Sequence, residues 1–518
     1  NGDGTYTCQL NEEGSVNDYT VASAPIVIPV ETPGYAAMEA PTDYVSSSSD
    51  YTKAGFIYVN AGCRGRDAGA PAGVTDLKAA VRFLRYNEGN IPGSMERIFT
   101  FGMSGGGAQS ALMGATGDSE LYTPYLQAIG AVEGVSDAVA GSMCWCPITN
   151  LDYADEAYEW NMGVTRSDLD DETQALSDGM AEAFAQYINE LGLKGSDGTV
   201  LALTESEDGI YQAGSYYEYV KAEVEKSLNN FLADTTFPYT AGSAESGGMT
   251  RGNGMGRGGV RNGELPDGEL PDGELPDGIT HGRGKIGMDK ENTTGGYLDE
   301  NGELQEDGIN RDLEETATED NATYETAQDY IDSLNQDTTW VSYDSATNTA
   351  TITSVADFVK ACKKASKSVG AFDDLDKTQG ENTLFGYGDG SGAHFDSIMA
   401  ELLKDNETYG ASYAADLAKE DALGNTVDYR VNMYNPMYYL CDYYEGYQTA
   451  NVAQYWRIRT GITQGDTALT TELNLTLALE NYGRDVDFET VWGAGHTMAE
   501  RTGTSTENFI EWVNECLQ

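Results

Sequence analysis

The chain has 518 residues, 85 acidic and 30 basic, for a formal charge of -55. So acidic a surface repels a phosphate backbone and an anionic bilayer, which excludes nucleic acid and membrane surfaces as partners. No apolar run is long enough for a membrane-spanning helix.

The length suits two to four ordinary domains, or one large domain with insertions. The opening Asn1-Gly-Asp-Gly4 lacks a Met and a signal peptide. We expect a trimmed, secreted form at an extracellular or cell-surface location. Seven cysteines are thinly spread and form no metal-spaced set. No metal or other cofactor is expected, and Cys144-Trp-Cys146 is expected to fill core.

In chain order, Ala24 to Val30 has strand character, and Ser46 to Ser49 marks a loop. Gly55 to Asn60 predicts a buried strand running into the small-residue loop 61–67. Thr75 is placed to cap a helix over Asp76 to Tyr86, with Leu77, Ala80, Val81 and Leu84 on one face.

Residues 95–116 are the stretch around which the rest is organised. Ile98, Phe99 and Phe101 predict a short buried strand, and Ala108 to Met113 a helix. Between them stands Gly102-Met103-Ser104-Gly105-Gly106. A strand, a sharp Gly-x-Ser-x-Gly turn and a helix form the context of a nucleophile elbow. Side chains at 102 and 106 would strike neighbouring backbone. The N–H of Gly105, first in the helix, points where an oxyanion forms. The second oxyanion donor is expected in the loop after strand 55–60, at Cys63, with Gly62 as the alternative.

Ala138 to Ile148 predicts another buried strand. The strand and helix order implies a parallel α/β sheet. After Asn150 the chain turns helical and acidic, with helices over Asp170 to Leu193 and Tyr216 to Leu232. Residues 241–310 are of low complexity. Gly263-Glu-Leu-Pro-Asp267 recurs three times in tandem, ending at Gly278, and cannot bury a core, so a disordered linker is expected. Trp340 to Ser354 predicts a hairpin, Val355 to Lys367 a helix and Phe395 to Leu403 another.

The β/α rhythm resumes with strand Tyr455 to Gly461, helix Leu469 to Tyr482, strand Val486 to Trp492 and helix Asn508 to Cys516. The expected architecture is an α/β-hydrolase sheet with helices on both faces. Its core comprises residues 1–150 and 436–518. A large, mostly helical insertion, 151–435, forms a lid over the strand ends.

Only three histidines exist. His281 lies in the low-complexity tract, and His394 begins a helix, as a cap or substrate-facing residue. His496 follows the last strand in Trp-Gly-Ala-Gly-His, where a flexible loop can bring a general base to the serine. The acid belongs just past strand 455–461. Its usual position falls on Gln464, which can orient an imidazole without stabilising an imidazolium. Asp466 is the nearest carboxylate and is our choice, with Gln464 the alternative. The order Ser104, Asp466, His496 is that of α/β hydrolases.

Three segments together resemble one family. They are Gly102-Met-Ser-Gly-Gly-Gly-Ala-Gln-Ser-Ala, Asn435-Pro-Met-Tyr-Tyr-Leu, and Trp456-Arg-Ile-Arg-Thr-Gly with Asp466-Thr and Gly495-His496. They are similar to the bacterial tannase and feruloyl-esterase-like α/β hydrolases, the subtype B tannase group, over roughly 55–150 and 430–518. The resemblance implies attack by Ser104 on an ester of a phenolic acid, galloyl or hydroxycinnamoyl, with His496 as base. It also implies two acids two residues apart in the late-strand loop, the first for the triad and the second for the phenolic hydroxyls. This chain keeps the second, Asp466, and has Gln464 in place of the first.

The expected activity is therefore that of a serine carboxylic-ester hydrolase working through an acyl-enzyme. Its partner would be a small-molecule ester, such as a plant polyphenol or cell-wall ester. The competing readings are a degenerate hydrolase that binds without cleaving, supported by Gln464, and a serine peptidase on the same sheet.

Overall fold

The structure, a computed structural model, describes residues 9–167, 169–207, 209–241 and 322–518, and the backbone of Gly296–Leu298 and Leu304–Glu306. The Gly-Glu-Leu-Pro-Asp repeats, His281 and nearly all of the expected linker 241–310 lie outside the described residues, as does Cys8.

Six parallel strands form the central sheet: β1 Ile26–Val30, β2 Ile57–Tyr58, β3 Ile98–Met103, β4 Gly141–Trp145, β5 Tyr455–Gly461 and β6 Asp485–Val491. Their order is β6-β5-β4-β3-β1-β2. The strand bearing the elbow therefore lies inside the sheet, between β1 and β4. The two halves of the chain meet where β4 pairs with β5, Tyr455 opposite Gly141.

Alternation along the strands sorts side chains to the two faces. Val27, Phe99, Phe101, Met143 and Trp145 pack on one face against Phe509, Trp512 and Val513 of the last helix. Ile26, Ile28, Val30, Ile98 and Cys144 join the larger core on the other. That side is covered by α1 Ala72–Tyr86, α2 Gly105–Ala115 and α3 Leu469–Tyr482. Every residue of α2 is buried, so the helix behind the elbow has no room to shift.

The expected strand 138–148 is shorter, because Cys146 and Asn150 take positive φ of 42° and 57° and turn the chain away. The helix at Thr75 begins earlier, at Ala72. Thr75 Oγ1 bonds back to Pro71 O at 2.9 Å inside the first turn. Asp170 caps the helix Asp171–Leu191 through Thr173 N–H. The expected helix 355–367 stops at Cys362, since Lys363 leaves helical geometry and Lys364 has φ 76°.

Candidate active site

Ser104 occupies the turn between β3 and α2 with φ 58° and ψ -126°, a strained backbone for any residue but glycine. A Cβ at Gly102 would lie 2.4 Å from Gly106 O, and one at Gly106 would lie 2.1 Å from Val30 O. The turn can be this tight only without those side chains. Ser104 N–H donates to Trp145 O at 2.9 Å, which ties the elbow to the end of β4.

His496 sits in the loop after β6. Gly461 lets that loop close, because a Cβ there would meet Gly495 O at 2.0 Å. Thr463 Oγ1 donates to Ala494 O at 2.8 Å and joins the His496 loop to the loop after β5. Glu500 anchors the far side. Its carboxylate takes two 2.7 Å bonds from Arg457 and one of 3.0 Å from Trp145 Nε1. Cys146 Sγ donates to Thr497 O at 3.4 Å. Cys146 follows the β4 end that pairs with the β3 end carrying Ser104. Adjacent strands run about 4.8 Å apart, so the elbow and the histidine loop share one rim.

Gln464 Oε1 lies 2.6 Å from His496 Nδ1, a short hydrogen bond. Asp466 Oδ2 lies 3.4 Å from the same nitrogen, an ion-pair distance, and makes no hydrogen bond. Both side chains are buried. Gln464 thus makes the hydrogen bond to the ring, and Asp466 is its nearest carboxylate. Nε2 of His496 is buried and has no hydrogen-bond partner among the described residues. Burial by itself pushes the imidazole pKa down, but the Asp466 carboxylate and Cys146 beside the ring carry it up to about 9, against a smaller push from Lys367. Cys146 is therefore part of this rim as well as core, which its place in an apolar run did not signal.

Residues between β4 and β5 grip the loop after β5. Tyr158 Oη donates to Gly465 O at 2.9 Å, and Ser366 Oγ to the same oxygen at 3.2 Å. Lys363 Nζ is buried without a hydrogen-bond partner among the described residues, near Glu472, Cys146 and Asp466. These insertion residues had no motif to announce them.

Two expectations change. Cys63 N–H donates to Met38 O at 2.8 Å and is committed there. Its loop follows β2, the edge strand, whereas the strand beside the elbow is β1. The turn Pro33–Tyr35 after β1 crosses the elbow instead: a Cβ on Gly105 would lie 2.6 Å from Tyr35 N and 3.2 Å from Gly34 N. Gly62 sits in the same edge loop as Cys63. His394 neither caps its helix nor faces a cleft. It is buried, 2.7 Å from Asp373 Oδ1 and stacked on Tyr413, while Asp396 caps Ser397–Leu402.

A family model described as BD-FAE, an esterase domain, matches residues 16–183. Among solved structures, the native tannin acyl hydrolase from Lactobacillus plantarum superposes with a TM-score of 0.65 at 25% identity. The match covers 98% of this chain and 88% of that one. A tannase from Fusobacterium nucleatum matches with a TM-score of 0.65 at 25% identity, over 97% and 88% of the two chains. A tannin acyl hydrolase in complex with ethyl gallate matches with a TM-score of 0.64 at 26% identity, over 97% and 87%. The chain thus has the α/β-hydrolase fold and is similar to bacterial tannases over nearly its whole length. No relative matches among curated proteins.

Proposed function

We propose that the chain is a serine carboxylic-ester hydrolase acting on esters of phenolic acids, galloyl or hydroxycinnamoyl, through an acyl-enzyme. The observation that carries this reading is His496, held at Nδ1 with Nε2 unpartnered, on the rim it shares with a strained Ser104. The solved relatives that bind ethyl gallate and 3,4-dihydroxybenzoate support the phenolic acyl group.

Ser104 Oγ attacks the ester carbonyl as His496 Nε2 takes its proton. The tetrahedral oxyanion is held by the Gly105 N–H and by the Gly34 N–H of the Pro33–Tyr35 turn, since Tyr35 N–H already donates to Thr32 O. Each such donor is typically worth about 3–4 kcal/mol. Collapse expels the alcohol, which receives the proton from His496. Water, deprotonated by the same ring, then frees the acid and Ser104. Asp466 stabilises the imidazolium, with Gln464 orienting it.

In this reading the described residues between 151 and 435 form the lid, supported by the hold of Tyr158 and Ser366 on Gly465. The -55 charge supports a secreted or cell-surface setting. Among the described residues no helix is long and apolar enough to cross a membrane.

The test is Ser104→Ala assayed on p-nitrophenyl and galloyl esters. Turnover should vanish while the far-UV spectrum is kept, and retained turnover sinks the reading. A second reading, binding without cleavage, draws on Gln464 making the bond a carboxylate would make. Rapid labelling of Ser104 by a fluorophosphonate would rule it out, and inert Ser104 would favour it.

A further inference from the structure

Gln464 carries no charge, yet it makes the short contact to His496, and a carboxylate stands directly behind it. Gln464 Nε2 donates to Glu472 Oε1 at 2.8 Å and to Thr460 Oγ1 at 2.8 Å. Glu472 is fully buried in the first turn of α3, where the positive end of a helix favours an anion. Its Oε1 also accepts from Thr467 Oγ1 at 3.1 Å and from Thr460 Oγ1 at 3.2 Å. Burial pushes the carboxyl pKa up to about 7, with its own backbone N–H, the Lys363 ammonium and these hydroxyls pulling only part of the way back, so above that pH the group is a carboxylate.

A carboxylate accepts and does not donate. The amide nitrogen of Gln464 must therefore face Glu472, and its oxygen must face the ring. The ring nitrogen against that oxygen must be a donor. The neutral ring of His496 thus carries its hydrogen on Nδ1 and presents a lone pair at Nε2, the tautomer a general base needs.

We infer that Glu472 is a positioning residue for the hydrolysis proposed above: it fixes the amide of Gln464, and through it the Nδ1–H tautomer of His496. The pair Gln464–Glu472 takes over the orienting half of the triad acid's role, and Asp466 keeps the charge beside the ring. Lys363 favours the ionised carboxylate against the effect of burial.

The test compares the wild type with E472Q and with the swap Q464E/E472Q, which keeps one amide and one carboxyl group of unchanged shape. Three readouts are needed: kcat and KM on a p-nitrophenyl ester, the melting curve, and 15N–1H spectra of His496 at pH 10. The three histidines of the chain are assigned by single substitutions.

In E472Q the new amide can donate to a flipped Gln464. A wrong tautomer in a triad costs up to about 10⁴ in kcat, and partial scrambling should cost about 10–100-fold at unchanged KM. Its spectrum should show both tautomers. The swap should return kcat to within about fivefold of wild type, because its carboxylate accepts from Nδ1 directly. Wild-type kcat and a single Nδ1–H tautomer in E472Q overturn the inference. So does a folded swap variant without rescue, which is the result if Glu472 only satisfies Thr460 and Thr467. Should E472Q not fold, the swap alone decides by the same criterion. A wild type that turns over no ester, yet holds Nδ1–H and loses it in E472Q, refutes the hydrolase reading and leaves the positioning role standing.

Discussion

Gln464 Oε1 lies 2.6 Å from His496 Nδ1, at the loop position where a triad carboxylate is expected. The nearest real carboxylate, on Asp466, stands back at 3.4 Å. Orientation and charge, usually supplied to the imidazole by one side chain, are divided here between two. Each can be removed separately.

Removing the charge should move the pH profile. The free base is the active form, so kcat/KM should climb with pH as His496 loses its proton near 9. Asp466→Asn takes away the main group holding that value up. The acidic limb should then shift to lower pH, with kcat reduced. A limb left in place by D466N would mean that Asp466 does not act on the ring.

Stability should carry the same signature. The folded-state value of His496 lies above its ordinary 6.5, so the protonated ring favours the folded chain. That contribution is complete below about 6.5 and is lost as pH rises through 9. It amounts to roughly 3 kcal/mol. Urea melts of wild type and His496→Gln should converge between pH 7 and 10.

Loosening the loop after β5 should cost both stability and rate. Tyr158→Phe removes the hydroxyl that donates to Gly465 O and receives the N–H groups of Ser366 and Lys367. We expect about 1–3 kcal/mol of destabilisation. The fall in kcat should be severalfold, with fluorophosphonate labelling slowed in parallel. Unchanged labelling would mean that the loop holds its place without Tyr158.

Breaking the anchor of the histidine loop should unsettle the fold itself. Glu500→Ala leaves Arg457, buried and doubly bonded to it, without its main partner. Losing one member of a buried pair typically costs about 3–5 kcal/mol. Chemical denaturation should show that loss, and Arg457→Met/Glu500→Leu should recover part of it.

The elbow glycines should be equally intolerant. In Gly106→Ala the new methyl meets Val30 O at 2.1 Å, backbone against which nothing can swing aside. Either β1 and β3 separate or the elbow opens. A cost of about 1–3 kcal/mol or more and loss of serine labelling are expected. An active, fully stable G106A would show that the turn has slack.

Much of this was written in local order. The strand, Gly-x-Ser-x-Gly turn and helix at 98–115 are contiguous, so periodicity and glycine placement suffice to find them. The late strands and the single plausible histidine of their loop are as local. Alternation in Ile98-Phe99-Thr100-Phe101 even assigns faces of the sheet, because a strand's side chains must alternate.

Strand order is a different kind of fact. Nothing near Gly55–Asn60 says that it ends on the edge while Ile26–Val30 lies beside the elbow, so the turn that crosses the elbow could not be read from the local sequence. The same holds for the contacts of Gln464, Glu472, Lys363 and Tyr158. They lie up to three hundred residues apart, each in an unremarkable local context. Which side chain reaches His496 depends on how two loops and an insertion pack on one rim, and only the packed chain brings those distances within bonding range.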